Sequence, residues 1–555
     1  MQKRFVGLAA AALAVGVPAA AAAQDFVACD GYDDPKPKGD GMTTSPYLWG
    51  LAKGNSDIRE VPLFSFDAKG VAACDRALAD ARLLPGYQLR RAHLLQAKAV
   101  HQIGAGQVEQ ALATLAESDT AGVGLEGRYF RDSVALGNHA VRGFALITLG
   151  RKAEAMKEIE TIEAARSFAP SMQRLPMLLR MRIDNSLPTQ LALLKRDAVR
   201  DPVALTRYFL IALTSNRLDE AAAVGGSLSF DLPANRGGWT VEGGVEEQYD
   251  LIVERADLTG AYAYALAATG KADKSAAAIA RARHEVVEAI APPPLPEPGR
   301  TLSKAVQQDY ATRTARGTLA DAALDLWEKA IEIRRNAPGQ TEAQMIEALK
   351  TLPRGKLPVM ADLLRQMKTP NPMEDAARRD AVAKIDAAAE RARLDTVRLD
   401  LSALHDMLPR PETAAMQPHF KHSGDGYFLS DNGFSRRKLA DPDSWTVRFT
   451  HDLASKATVE ELALLSAATL AQKEGFDSFL VQSRRTLQRT MHVTTGYYFS
   501  RGRTTDVPSG NEAQLNVLLV KGGALPADYA DSGWRLVHAA DVIAALSGRY
   551  QEAAR

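Results

Sequence analysis

Few residues in this chain have the types and spacing that chemistry would need. Gly122, Gly124 and Gly127 satisfy G-x-G-x-x-G, the spacing of a dinucleotide-binding turn. That turn works only between a strand and a helix, where helix N–H groups meet the phosphates. Here the helical pattern "QALATLAESD" comes first, so the glycines read as a loop between helices. His284, Glu285 and Glu288 lack the second histidine of H-E-x-x-H, which leaves zinc short of ligands. His419 and His422 have no neighbouring cysteine or carboxylate cluster to complete a set of three or four. Neither a G-x-S-x-G elbow nor a G-x-x-x-x-G-K-[ST] phosphate loop occurs. No catalytic, cofactor-binding or metal-binding residue is assigned, and the chain is expected not to be an enzyme.

The two cysteines, Cys29 and Cys74, have a better use than nucleophilic attack. Both sit near the start of a 555-residue chain, and they are its whole complement. Lys3 and Arg4 precede an apolar stretch from Phe5 to Ala23, and Ala21-Ala22-Ala23 offers small residues to a signal peptidase. Residues 1–23 therefore read as a secretory signal peptide, with Gln24 first in the mature chain. A secreted chain meets an oxidising compartment, where Cys29 and Cys74 would form a disulfide. Closing that loop of 45 residues (29 to 74) would contribute roughly 4 kcal/mol in the chain-entropy model. The segment 24–68 is rich in Gly, Pro and Asp and is expected to be mostly loop. A competing reading takes Phe26-Val27-Ala28-Cys29 as a bacterial lipobox, with lipid on Cys29. Asp25 and Phe26 both depart from that pattern.

Net charge is +1, with 24% charged and 46% hydrophobic residues and only 6% aromatic. No global field recruits nucleic acid, and abundant alanine favours closely packed helices with aliphatic cores. The expected class is mainly α. Four segments, "GQVEQA", "GRKAEA", "NRLDEA" and "GKADKS", start at Gly106, Gly150, Asn216 and Gly270, residue types that end helices in the left-handed conformation. Five residues on stand Ala111, Ala155, Ala221 and Ser275; seven residues before stand Ala99, Gly143, Phe209 and Ala263. Small residues there let two antiparallel helices pack face to face.

These residues resemble the tetratricopeptide repeat family across about 69–290. The resemblance implies an α-solenoid whose concave groove binds a protein or peptide. The caps are 44, 66 and 54 residues apart (106 to 150, 150 to 216, 216 to 270), not the family's period of about 34. Phe209 also stands where a small residue is expected, so extra helices or long loops must separate some hairpins. "ESDTAGVGL" bears a weak likeness to the catalytic stretch of lytic transglycosylases, with Glu117 as acid, but its spacing is too compressed.

Five prolines in "APPPLPEPGR" (291–300) form a linker, and helical patterns resume over 301–410. Over 420–555 the texture changes to strand, helix, strand, strand, helix: "SWTVRFT", "ATVEELALLSAATLAQKEG", "FDSFLVQSR", "EAQLNVLLVK" and "HAADVIAALSGRY". A small α/β or α+β domain is expected, its helix capped by Thr458 with Glu461 completing the box. Gly433-Phe434-Ser435 and Gly475-Phe476-Asp477 look like motifs of small proteobacterial envelope lipoproteins of unknown function. That likeness implies an envelope location and no activity. Arg436, Arg437 and Lys438 before the first strand, and Arg484, Arg485 and Arg489 after a later one, could meet an anionic headgroup. Otherwise membrane contact would come only through a lipidated Cys29. The combined expectation is a periplasmic adaptor with a protein partner. The alternatives are a cell-wall-active enzyme using Glu117 and a structural lipoprotein tethered to the outer membrane.

Overall fold

A computed structural model describes residues 19–37, 39–42, 46–47, 52–53, 65–125, 128–228, 245–293, 301–337, 340–352, 358–367, 371–413, 416–423, 432–495 and 503–550. The first helix, α1 (Ala19–Asp30), runs through the start of the segment expected to be loop. Its inner face buries Phe26 and Cys29 against α2 (Ala68–Ala79) and α3 (Gln88–Gly104). Cys29 and Cys74 stand at disulfide distance, their Cα atoms 4.7 Å apart. Asp30, fully buried, receives Arg90 Nη2 at 2.9 Å and so anchors the end of α1. Two short strands, β1 (Pro46–Tyr47) and β2 (Ala52–Lys53), pair antiparallel. Within the loop closed by the cysteines, residues 38, 43–45, 48–51 and 54–64 lie outside the described residues.

Helices then follow one another: α4 (Val108–Ala121), α5 (Arg128–Arg131), α6 (Val134–Thr148), α7 (Lys152–Ala165), α8 (Pro170–Ile183), α9 (Leu187–Asp197), α10 (Pro202–Thr214), α11 (Leu218–Val224), α12 (Val245–Ala268) and α13 (Ala272–Ala289). Gly106, Gly150, Asn216 and Gly270 have φ of +78°, +76°, +57° and +79°. At each, the next residue's N–H reaches back five positions: Gln107 to Gln102, Arg151 to Leu146, Arg217 to Ala212 and Lys271 to Leu266. This is a Schellman closure, which satisfies carbonyls the helix end would leave bare. The turns join α3 to α4, α6 to α7, α10 to α11 and α12 to α13, and each pair packs together. Ala99, Phe209 and Ala263 are fully buried, as are Ala111, Ala155 and Ala221. The uneven spacing has a plain cause. The short α5 separates the first two hairpins, and α8 and α9 separate the second from the third.

Beyond the proline-rich stretch, of which 294–300 lie outside the described residues, come α14 (Lys304–Asn336), α15 (Glu342–Lys350), α16 (Met360–Gln366), α17 (Pro372–Thr396) and α18 (Leu401–Met407). One contiguous core runs from Ala99 to Leu404, so these helices continue the array rather than start a new unit. Gly260 of α12 lets Trp327 of α14 lie against the backbone, with Trp327 Nε1 donating to Asp257 at 2.7 Å.

The C-terminal part is a small antiparallel sheet with two helices. Its elements are β3 (Gly433–Lys438), β4 (Ser444–His451), α19 (Lys456–Lys473), β5 (Ser478–Thr495), β6 (Arg503–Val520), β7 (Val537–His538) and α20 (Ala539–Tyr550). The strand order is β3-β4-β6-β5-β7. Arg436, Arg437 and Lys438, expected ahead of the first strand, lie inside β3, and Arg484, Arg485 and Arg489 lie inside β5. Both hairpin strands outrun their sequence signals because alternation fades toward the hairpin end. The sheet neighbour β4 stops at His451, opposite Asn511, while β5 and β6 stay paired out to Thr495 and Arg503. Thr458 is not the cap of α19: Ser455 is, accepting from the Thr458 N–H. Glu461 consequently completes no capping box and turns inward. Buried on every side, α19 packs on the sheet, on α20 and on α8.

Candidate functional site

Two adjacent glutamates on this buried helix hold the C-terminal unit to the helical array. Glu460 accepts from the Ser171 N–H at 2.9 Å and the Ser171 hydroxyl at 2.7 Å. Arg484 and Thr486 of β5 donate to its other oxygen at 2.6 and 2.9 Å. Glu461 accepts from Arg166 Nε at 2.8 Å, from Arg549, and from the Tyr550 hydroxyl at 2.5 Å. Burial works against the Arg166 charge, but Glu461, Tyr550 and Glu412 together outweigh it and hold the guanidinium well above its ordinary value. Burial pushes the nearby Glu412 carboxyl up. Arg535 completes the junction with no carboxylate: it donates to the carbonyls of Ala198 and Ser227 in the array and Val481 in β5. Burial pushes it down to about 10.

Beside these contacts lies a cavity of about 600 Å³, walled by α8–α10, residues 406–412 and Met416, the start of α19 and strand β5. The array contributes two helical stripes. On α8, Pro170, Gln173, Arg174 and Met177 recur at i, i+3, i+4, i+7; ahead of and along α10, Arg200, Val203, Ala204 and Arg207 do the same. The opposite wall is Leu453, Ser455, Lys456 and Ala457, with Arg484, Gln488 and Asn511 from the hairpin. Met172, Met177, Met407 and Met416 supply apolar surface that can re-pack around different shapes.

The charges are unevenly matched. Five lining carboxylates are paired to arginine: Asp132 with Arg549, Glu163 with Arg180 and Arg196, Asp197 with Arg196, Asp201 with Arg484, and Asp452 with Arg489. Burial pushes Glu163 up, but Arg180 and Arg196 more than offset it and hold the carboxyl below its usual range. Asp197 is raised by burial despite Arg196. Among the described residues, by contrast, Arg174, Arg207, Arg410 and Lys456 line the cavity with no hydrogen bond or ion pair. Burial, then the neighbouring Arg174 charge, push the Arg207 guanidinium down, against the opposing charge of Asp201. Asn511 donates Nδ2 to Ala454 at 2.7 Å, which fixes its amide orientation and leaves Oδ1 buried without a partner. The unbridged cations are an arrangement that can receive an anion.

The residues singled out for chemistry lie elsewhere. Glu117 is exposed on α4 and does not line the cavity. The glycines from 122 follow α4 directly, and Gly127 lies outside the described residues. His284 is exposed and meets only Glu288, while Glu285 pairs with Arg255. His422 bridges to Phe434 in the loop before β3. No group of three metal-binding side chains occurs among the described residues. Part of each basic cluster is engaged within the protein: Arg436 donates to Ser466 and Thr469 of α19, and Arg484 to Glu460, while Arg437, Lys438 and Arg485 are exposed.

The junction contacts carried one signal that sequence reading missed. "TVEELALLSAATLAQ" places Glu460 and Glu461 side by side in an otherwise apolar helix, where carboxylates must find buried cations. Compared with known proteins, the chain matches no protein family, no curated protein and no solved structure. Among the described residues no helix is long and apolar enough to cross a membrane.

Proposed function

We propose that the protein is an exported, non-catalytic binding protein that seats a segment of a polypeptide partner at the junction of its two parts. The single observation behind this reading is the junction cavity, lined from both parts, where among the described residues Arg174, Arg207, Arg410 and Lys456 form no salt bridge although the neighbouring Asp197 and Asp201 each do. The helical array acts as a solenoid-like frame: four capped hairpins on one continuous core support α8–α10 from behind. Export fits the N-terminal geometry. Cleavage after Ala23 removes the start of α1 but leaves Asp25, which pairs with Arg76, and Phe26 and Cys29 in the fold. The periplasm would keep Cys29 and Cys74 oxidised.

A photo-crosslinking amino acid at Val203, inside the cavity, should capture a polypeptide partner in the cell envelope. The same probe at Glu117, on the exposed face of α4, should capture none. Equal capture from both positions, or loss of an envelope activity in Glu117→Gln, would overturn the reading.

A further inference from the structure

Three carboxyl groups meet two guanidiniums where residues 406–412 cross the junction. Asp132, Glu412 and Glu461 are all buried, as is Arg166, and Arg549 is mostly covered. Both cations are already committed: Arg166 to Glu461 at 2.8 Å, and Arg549 to Glu461 at 3.3 Å and Asp132 at 3.2 Å. Arg131 adds only an exposed charge, 3.8 Å from Asp132. Tyr550 turns its hydroxyl to Glu461, while Lys456 on α19 and Arg410 beside Glu412 are exposed. Glu412 is the carboxyl left over. Among the described residues it forms no ion pair, and its side chain meets hydroxyl groups, accepting from Thr458 at 3.4 Å with Ser455 as a second partner. Such a site suits a neutral carboxylic acid, because a third buried negative charge would have two carboxylates for neighbours. Burial keeps the proton on; the Arg166 charge and the Ser455 hydrogen bond oppose it, and Asp132 and Glu461 reinforce it. The stretch that carries Glu412 is held by few backbone hydrogen bonds. Pro409 and Pro411 have no N–H to donate, and the Glu412 N–H makes a long bond of 3.3 Å to the Ser133 hydroxyl. Burying an ionised Glu412 would cost more than these long hydrogen bonds contribute, so the charged carboxylate favours moving out to water.

We propose that Glu412 is a proton-dependent latch: neutral, it seats residues 406–412 as a wall of the cavity; ionised, it releases them and the cavity loses that wall. A free glutamate ionises at about 4.3. Because the folded carboxyl keeps its proton beyond that point, the latch is closed at acid pH and opens as pH climbs past the ordinary glutamate range. The effect of opening on a bound segment rests on the reading of the cavity as a polypeptide site. The test is hydrogen–deuterium exchange of the purified chain beside Glu412→Gln, each pair compared at one pH so that the chemical exchange rate cancels. At pH 4.5 the two chains should protect residues 406–413 alike. At pH 8 the native stretch should exchange at least tenfold faster than the variant's, while β3 and β4 match, and the variant should melt at the higher temperature. Exchange that differs at neither pH overturns the latch, and so does a Glu412→Gln chain that fails to fold, since the site would then need the charge. With the photo-crosslinker at Val203, capture should fall from pH 4.5 to pH 8 in the native chain and hold level in Glu412→Gln. Absence of capture at both values, with the exchange difference intact, overturns the binding reading and leaves the latch standing. Capture equal at both values, with no exchange difference, overturns the latch and leaves the binding reading standing.

Discussion

His451, at the end of β4, links a local turn to the stability of the whole C-terminal part. Its Nδ1 accepts from the N–H groups of Leu453 and Ala454 at 3.1 and 3.0 Å, which requires that nitrogen to be unprotonated. Burial, reinforced by His419 and Lys421, pushes the ring from 6.5 down to about 4. A depressed histidine is neutral in the fold while the unfolded chain protonates near 6.5. Its contribution is therefore complete above 6.5 and is lost as pH falls toward 4. Over that span the loss amounts to about 3 kcal/mol. His451→Asn keeps an acceptor for the turn but cannot titrate. Urea denaturation from pH 7.5 to 4 should show the native chain losing about 3 kcal/mol more than the variant; parallel losses would mean the ring is not held neutral.

Within a single helical hairpin, the same substitution should have opposite effects at two glycines. Gly150 ends α6 at φ +76°, and a Cβ there would meet no atom within 4 Å. The cost of Gly150→Ala is thus purely conformational, about 1–2 kcal/mol. Gly143 sits inside α6, and a Cβ there would meet Glu158 at 3.6 Å and Leu179 at 3.7 Å, ordinary contact distances. Gly143→Ala should stabilise by about 0.5–1 kcal/mol, because alanine loses less freedom in a helix. Thermal melts of the pair check both signs; destabilisation at Gly143 would mean the hairpin needs glycine there for clearance. These turns were legible because only a few residue types tolerate positive φ, so the need shows in the sequence as Gly or Asn. The ends of α19 were less so: Ser455 and Thr458 both suit a cap, and sequence does not say which backbone N–H each meets. Strand ends were hidden similarly, since "RRK" and "RRTLQRT" read as surface charge whether a strand holds them or not.

At the scale of the whole molecule, a buried charge joins parts 295 residues apart. Arg166 and Glu461 are 2% and 0% exposed, and Arg549 and Tyr550 close around them. Removing one member leaves the other desolvated and unpaired, which costs about 3–5 kcal/mol. Glu461→Ala should lower stability by that amount and, because the pair spans the junction, split calorimetric unfolding into two transitions. A single transition at the native midpoint would mean the junction stands on its apolar contacts alone. The mainly helical class and the small C-terminal sheet could be read from periodicity. The cavity could not: its stripes on α8 and α10 look like ordinary half-polar helix faces until α19 and β5 are laid across them. Its cations resemble solvated surface residues in a sequence, since their lack of partners is a fact about space.

Arg535, held by three carbonyls from both parts, has a consequence for the order in which the structure is made. A chain emerging from its N-terminus can complete the early helical hairpins as it goes, each on the one before. The face of α8 to α10 must wait. Until residues 456–550 have followed, Arg166 and Asp132 stand in water, the carbonyls of Ala198 and Ser227 lack their guanidinium, and there is no cavity to occupy. Assembly is thus vectorial for the frame and terminal for the site: the capacity to hold a ligand arrives late, with the last segments to dock.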